Sequence, residues 1–380
     1  MIKVVTVLGT RPEIIRLACV LQRLDEHCEH VLVHTGQSYD FELSETFFQD
    51  LELRPPDHFL GAETGTIGAL YGSILAKVEP ILVAEAPDAL LVLGDTNSAI
   101  AALVAKRLRI PVYHMEAGNR SFDENVPEEI NRRLVDHIAD FNLVYTRRAR
   151  EHLVREGLPS RRIYLTGSPL GEVLARYRSR IERSDVLERL GLEEGGYLLA
   201  SLHREENVDL ESRLLAALAA IGHVAETLDL PVLMSTHPRT RKRLEALTRP
   251  VTWTEGIRFH KPFGFSDYVR LQKSARCVIS DSGSISEESA ILGFPAVTLR
   301  DSMERPEAMD LGSIAMAPLE PLQALLEAVT VQRADFSSRR STIPEEYLVV
   351  DTSWRVLKIL VGTARISHAW DGVRSRPQPL

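Results

Sequence analysis

The sequence predicts an α/β protein built from two doubly wound domains in tandem. Short β-branched and aliphatic runs alternate with amphipathic stretches of helical length, the alternation breaks once near mid-chain, and it then restarts. Such alternation implies right-handed crossovers and a parallel sheet covered on both faces. In the first half, residues 2–8, 30–34, 89–93, 112–115, 141–145 and 163–165 predict buried strands, with helices over stretches such as 99–108 and 128–138. The charge-dense stretch 177–196 predicts a helix and a glycine-bearing loop that connects the domains. Beyond it, 197–202, 232–235, 257–259, 277–279 and 296–299 predict strands, with helices over 211–226, 240–247, 266–273 and 286–292. The domains are expected at 1–170 and 171–344, with a last helix from about 345 to 361, after Pro344, packing back on the first. The tail after Trp370 predicts no order. Two tandem sheets place two carboxyl-end crevices where a cleft between domains is the default ligand site.

Composition narrows the function. At 44% hydrophobic and 26% charged residues, the 380-residue chain is neither disordered nor fibrous. Its 45 basic and 53 acidic residues, a net charge of −8, argue against nucleic acid as a dedicated partner and leave room only for a local basic pocket. Three cysteines, Cys19, Cys28 and Cys277, lack Cys-x-x-Cys spacing, which argues against a disulfide framework or zinc ribbon and for a reducing cytoplasm. The apolar run before Arg11 and Pro12 is too short for a signal peptide. With no run of about 18 consecutive apolar residues, no membrane span is expected.

Candidate site residues follow the strand ends, where doubly wound sheets bind ligands. After the first strand, Gly9-Thr10-Arg11-Pro12-Glu13 offers a tight turn, a proline suited to the first helical position, and an arginine that can fork onto phosphate. An ordinary turn with a surface arginine reads equally well. In Gly94-Asp95-Thr96-Asn97-Ser98, Asp95 is a competent helix cap, yet so are the next three residues, which leaves it open to another role. Glu116, at the end of a buried strand, is costly without a partner or a function. Glu128 and Glu129 follow Pro127 in a first helical turn, where one acid is explained by the helix dipole. Asp95, Glu116 and Glu128 are expected to converge on one crevice, where neighbouring carboxylates raise one another's proton affinity and suit acid–base work.

In the second half, His203 stands with Arg204 and Asn207 at a strand–helix junction, and His237-Pro238-Arg239 follows the next strand. A lone histidine is more often structural, but this company suits an anion. The turn Ser280-Asp281-Ser282-Gly283-Ser284 offers backbone N–H groups to a phosphate, with Arg300 and Glu304-Arg305 close behind in sequence. No Gly-Lys-Ser/Thr and no Gly-x-Gly-x-x-Gly occurs there, so a kinase, an ATPase and a simple NAD dehydrogenase lose support. Of the twelve histidines only His30 and His34 stand at His-x-x-x-His spacing, and they fall within the strand predicted over 30–34 rather than on a helix, so no metal is expected.

In order along residues 1–310, GTRPE, HTGQ, LGDTNS, HMEAGNRS with PEEINR, LTGSP, SLHREEN, STHPR, SDSGSISEE and ERPE resemble the motifs of the non-hydrolysing UDP-N-acetylglucosamine 2-epimerases. The resemblance implies a glycosyltransferase-B fold, with two Rossmann-like domains facing across a cleft that holds a UDP-2-acetamido sugar. It also implies a cytoplasmic homodimer, with neither nucleic-acid nor membrane partner, that supplies precursors for surface polysaccharide such as capsule or O-antigen. No cofactor is implied. UDP leaves C1 as a proton leaves C2, a 2-acetamidoglucal forms in a water-poor site, and UDP adds back with the proton delivered to the opposite face.

By residue match, Asp95, Glu116 and Glu128 resemble the acid–base carboxylates, and His203 a group near the diphosphate. Arg11, Ser282, Gly283 and Ser284 resemble phosphate contacts, Glu288 a ribose clamp and Arg305 a further substrate-side residue, while Arg16 stands where the family commonly has lysine. Gln37, Arg204 and His237 match a second, activating sugar-nucleotide site of bacterial members, although Ser38 replaces that site's histidine. Ser284 and Ser286 replace a glycine and a glutamine of the family pattern. GTRPEIIRL, TGQ-x-YD and DSG-x-I-x-EES look more like the branch that converts UDP-2-acetamido-2,6-dideoxy-L-talose to UDP-N-acetyl-L-fucosamine. The same scaffold also admits a glycosyltransferase or a hydrolysing 2-epimerase. Three carboxylates near C2 are more than a transferase needs.

Overall fold

Val4, Val5, Val7 and Leu8 leave the first strand no polar face, so it must lie in a sheet covered on both sides. A computed structural model, which describes residues 1–36, 41–247, 256–338 and 343–373, shows such a sheet twice. Gln37 and Ser38 lie outside the described residues, as does the tail 374–380. The first sheet holds β1 (Lys3–Leu8), β2 (Glu29–His34), β3 (His58–Phe59), β4 (Ala89–Leu93), β5 (Val112–Met115), β6 (Phe141–Val144) and β7 (Ile163–Leu165). The second holds β8 (Leu198–Ser201), β9 (Val232–Ser235), β10 (Ile257–His260), β11 (Cys277–Ser280), β12 (Ala296–Thr298) and β13 (Ala315–Met316). Every pairing is parallel, in the orders β3-β2-β1-β4-β5-β6-β7 and β10-β9-β8-β11-β12-β13. Both are doubly wound, the building plan of the glycosyltransferase-B fold. The edge strands β3 and β13 have two residues each, too short to show a period in sequence.

The chain divides into Met1–Arg176 with Glu346–Leu380, and Tyr177–Glu345. In the first unit the Thr352–Thr363 helix packs on the Arg11–His27 helix. It is pinned by Tyr113 Oη to Thr363 Oγ1 at 2.7 Å and by Ser353 N and Oγ donating to Glu172 at 2.7 and 2.5 Å. A Cβ at Gly171 would fall 2.5 Å from the Tyr347 carbonyl, so only glycine lets the returning chain pass. The guanidinium of Arg162 lies over the rings of Phe141 and Trp370, 4.7 and 5.4 Å from their centroids.

Two expectations need correction. The stretch read as an interdomain connection folds instead as two short helices, Arg178–Glu182 and Val186–Leu190, inside the second unit. Ser184 and Arg189 both bind Asp267 at 2.5 Å, and Tyr177, Ile181 and Val186 are buried. The helix expected over 99–108 is a 3₁₀ turn, Asn97–Ile100, running into the helix Ala101–Arg107. The helix Ile67–Glu85 is long and apolar enough to cross a bilayer by length and composition. Lys77, Glu79 and Pro80 interrupt its apolar run, and its Ile74, Val78 and Leu82 are fully buried in the core of the first unit.

Candidate active site

In each sheet the strand order reverses between two paired neighbours, β1 and β4 in the first and β8 and β11 in the second. The loops that leave such a pair diverge and open a crevice at the carboxyl ends. Arg11, Asp95, His203, Arg204 and Ser282–Ser284 follow those strands, while Glu116 and Glu128 follow the adjacent β5, His237 follows β9 and Arg305 follows β12.

In the first unit β4 leads through Gly94 to Asp95, and β5 is followed by Glu116, whose φ of 65° is left-handed. For a residue with a Cβ that conformation costs about 1 kcal/mol or more, so the surroundings must impose it. They do so through a buried chain of polar groups. His114 Nε2 donates to the Gly94 carbonyl at 2.7 Å, and its Nδ1 lies 2.9 Å from Asp136 Oδ1. Asp136 also accepts from Gly118 N at 3.2 Å and from Arg120 at 2.7 Å, and the side chains of His114, Asp136 and Arg120 are all fully buried. Arg120 forks onto Glu156 at 2.8 and 2.7 Å and holds that carboxyl down at about 2. Gly118, at φ +79°, has no alternative, because a Cβ there would lie 2.4 Å from the Ala149 carbonyl.

The carboxylates themselves are paired. Glu116 Oε2 stands 3.5 Å from Arg16 Nη1, both side chains being almost fully buried. A Cβ built on Gly94 would sit 3.8 Å from the Glu116 carboxyl, so that carboxyl lies against the turn carrying Asp95. Asp95 accepts from the buried Arg132, and its carbonyl accepts from Asn131 Nδ2 at 3.0 Å. Capping of the next turn falls to Thr96, which accepts from Ser98 N at 3.2 Å, and Asp95 is not the cap. Of the two glutamates after Pro127, Glu129 is the structural one. Its carboxylate takes Arg132 at 2.7 Å, Ser121 N at 3.0 Å and Arg133 at 3.1 Å. Glu128 is half-buried in the same first turn. Arg11 opens the Arg11–His27 helix with its guanidinium 5.8 Å from the Phe47 ring.

In the second unit the fully buried Asp281 organises the crevice. It accepts from His203 N and Arg204 N at 3.0 Å and from Asn207 Nδ2 at 3.2 Å, and its Oδ1 lies 2.9 Å from His203 Nδ1. Burial pushes its carboxyl up, but His203 and the backbone N–H groups outweigh that and hold it at about 2. With Nδ1 taken by Asp281, Nε2 is the nitrogen of His203 that a ligand can meet. The His237 ring is 5.7 Å from that of His203, and its Nδ1 caps the Pro238–Glu245 helix.

Gly283 leaves room for two arginines: a Cβ there would sit 3.3 Å from Arg300 and 3.4 Å from Arg204, and both arginines bind Glu304, at 2.7 and 3.3 Å. The hydroxyls of Ser282 and Ser284 are 3.0 Å apart, and Ser284 donates to Glu288 at 2.7 Å. Gln272 donates to the other Glu288 oxygen at 2.5 Å. Arg305 is buried behind this turn, donating to Glu287 at 3.0 Å and to the Gly283 carbonyl at 3.4 Å. Arg204 and His237, paired in sequence reasoning with Gln37, thus stand at the same sheet end as His203 and Gly283.

Sequence reasoning missed the partners: Arg132, the His114–Asp136–Arg120 chain, Asp281 and Glu13. The only signal was their place inside motifs already singled out. The first crevice offers carboxylates held by buried arginines, suited to proton transfer. The second offers a backbone turn backed by arginines, suited to a phosphorylated ligand.

The model of the family described as UDP-N-acetylglucosamine 2-epimerase matches residues 22–361. The UDP-N-acetylglucosamine 2-epimerase of Methanocaldococcus jannaschii is 37% identical over 318 residues, 82% of this chain and 87% of that one. A structure of the enzyme from that organism, in complex with UDP-GlcNAc and UDP, aligns with a TM-score of 0.88 at 34% identity over 95% of this chain and 99% of that one. The Rickettsia bellii UDP-N-acetylglucosamine 2-epimerase structure aligns with a TM-score of 0.89 at 40% identity, over 98% of this chain and 100% of that one. The UDP-2,3-diacetamido-2,3-dideoxy-D-glucuronate 2-epimerase of Pseudomonas aeruginosa is 34% identical over 82% of this chain and 87% of its own length. With a family model matched over residues 22–361 and a relative 37% identical over 82% of it, the chain belongs to the UDP-N-acetylglucosamine 2-epimerase family and is an isomerase.

Proposed function

We propose that the chain interconverts UDP-N-acetylglucosamine and UDP-N-acetylmannosamine by eliminating and re-adding UDP. A carboxylate among Asp95, Glu116 and Glu128 takes the C2 proton, the C2–H electron pair forms the C1–C2 double bond, and the C1–O pair leaves on the β-phosphate oxygen of UDP. Re-addition reverses these steps with the proton delivered to the other face of C2. His203 Nε2 meets the departing diphosphate. Arg11, Ser282, Gly283 and Ser284 hold its phosphates, and Glu288 holds the ribose. Arg16 orients Glu116, and Arg305 supports the Gly283 turn. The observation that carries this reading is the left-handed Glu116, whose buried surroundings hold its carboxyl against the Asp95 turn at a conformational cost.

The three buried, unbridged cysteines support a cytoplasmic enzyme, which we read as a homodimer supplying surface-polysaccharide precursors. A second reading applies the same chemistry to UDP-2-acetamido-2,6-dideoxy-L-talose. It draws on Ser284, whose hydroxyl engages Glu288 at 2.7 Å where the family pattern has glycine.

Incubation in D₂O with UDP-N-acetylglucosamine and, separately, the 6-deoxy sugar nucleotide tests both. Deuterium at C2 of intact nucleotide sugar, with both epimers present, is expected for the true substrate. Stoichiometric free UDP without an acceptor identifies a hydrolase, and transfer only to an added acceptor identifies a transferase. Either result overturns the proposal.

A further inference from the structure

We propose that Glu13 is a positioning residue of the epimerisation site, tying the loop after β1 to the loop after β4 and so fixing where Asp95 stands. The proposal rests on the reading of Asp95 as an acid–base group. Glu13 is almost fully buried. Its Oε2 accepts from Gly9 N at 3.0 Å, Thr10 N at 2.8 Å and Thr10 Oγ1 at 2.8 Å, and its Oε1 accepts from Thr96 Oγ1 at 2.9 Å. The first three contacts belong to the β1 exit and the fourth to the residue after Asp95. β1 and β4 are paired neighbours whose exits diverge, so the sheet's own ladder stops short of both loops.

A helix cap alone would need much less. A glutamate at the third helical position completes a capping box by accepting from the cap residue's N–H, a job that is usually done at the surface with one oxygen. Here the second oxygen is carried inward to another loop. Arg16 lies three residues on, on the same helix face, and reaches Glu116 at 3.5 Å. One helical turn therefore touches both candidate carboxylate loops.

The second sheet repeats the device at the equivalent place. Asp281, after β11, accepts from the backbone of His203 and Arg204, after β8. The chemistry differs in one respect: Asp281 has a histidine beside it, whereas the contacts around Glu13 are hydroxyls and N–H groups. Burial prevails at Glu13 and pushes its carboxyl up to about 7, against the pull of those hydrogen bonds.

The test uses the full chain with Glu13→Ala, Glu13→Gln and Thr96→Val, reading C2 deuterium exchange, UDP affinity and amide hydrogen exchange over residues 94–98. Glu13→Ala should lower kcat by about 10- to 100-fold, the scale of a small misplacement of a reacting group, while UDP affinity stays within about 3-fold. Gln can accept from the Gly9 and Thr10 N–H groups and donate to Thr96 Oγ1, so Glu13→Gln should return kcat to within about 3-fold of wild type. Thr96→Val, which cuts only the far end of the bridge, should reproduce most of the kcat loss, with faster exchange at 94–98. A folded Glu13→Ala or Thr96→Val protein with wild-type kcat would overturn the proposal, as would UDP affinity falling in step with kcat. Should wild type fail to exchange C2 of any substrate offered, the functional reading falls instead. Amide exchange then still decides on Glu13, and unchanged protection at 94–98 in both variants would sink it.

Discussion

Replacing Glu13 by glutamine should make stability less dependent on pH, by an amount the structure sets. Burial raises the Glu13 carboxyl from the ordinary 4.5 to about 7, which at ~1.4 kcal/mol per tenfold change in proton affinity is worth about 3 kcal/mol. Because the native state holds the proton more tightly than the unfolded chain does, the contribution is fully present below about 4.5. It is lost as the pH rises through about 7. Glutamine never ionises and keeps its contacts throughout. Relative to wild type, Glu13→Gln should therefore gain up to about 3 kcal/mol between pH 4.5 and pH 8, and the difference should flatten above that. For a first unit of about 200 residues each kcal/mol moves Tm by ~2–4 °C, so calorimetric Tm values should separate by several degrees across this range. A wild-type-minus-variant difference that is constant from pH 5 to pH 8 would refute the reasoning.

Other expectations follow from the same contacts. Asp95→Asn and Glu116→Gln should each lower C2 exchange by about 10²-fold while UDP binding by calorimetry is retained. Arg132→Leu strips Asp95 and the buried Glu129 of a shared cation, and should cost about 3–5 kcal/mol in denaturant unfolding of the first unit. A loss under 1 kcal/mol would mean that the pairing is incidental. Asp281→Asn should remove an acid-sensitive contribution: in wild type it is intact above 3.8 and disappears as pH falls through about 2, so the Tm gap between wild type and variant should narrow on acidification.

The strands and the position of the crevices were legible because a two-sided parallel sheet writes itself as short continuous apolar runs, and the site rule points to the residue after each run. β5, β7 and β9 fall where the runs begin and end. Charge was the less reliable guide. The 177–196 stretch read as a connection between domains because local pattern does not show that Arg189 and Ser184 share Asp267, 78 and 83 residues away. For the same reason Asp95 and Glu116 were legible while Arg132 and His114 were not: a carboxylate at a strand end is conspicuous, but its partner is chosen by tertiary contact.

The two sheets show what such partners do. Both have the same strand order, and both place a buried acid so that it ties together the loops on either side of the reversal. At β8 and β11 the acid meets a histidine and is held strongly ionised. At β1 and β4 it meets hydroxyls and N–H groups and is held near neutrality. The sequence motifs GTRPE and SDSG contain Glu13 and Asp281 without assigning either a task. Their geometry gives them a common task, which is to keep two diverging loops in register where the sheet's own hydrogen bonds have ended. If that is their task, the variants should differ in kinetics as well as in pH response: Glu13→Ala should lose kcat with affinity for UDP largely kept, whereas Asp281→Asn, which loosens His203 and Arg204 in the crevice proposed to hold the diphosphate, should weaken UDP binding itself.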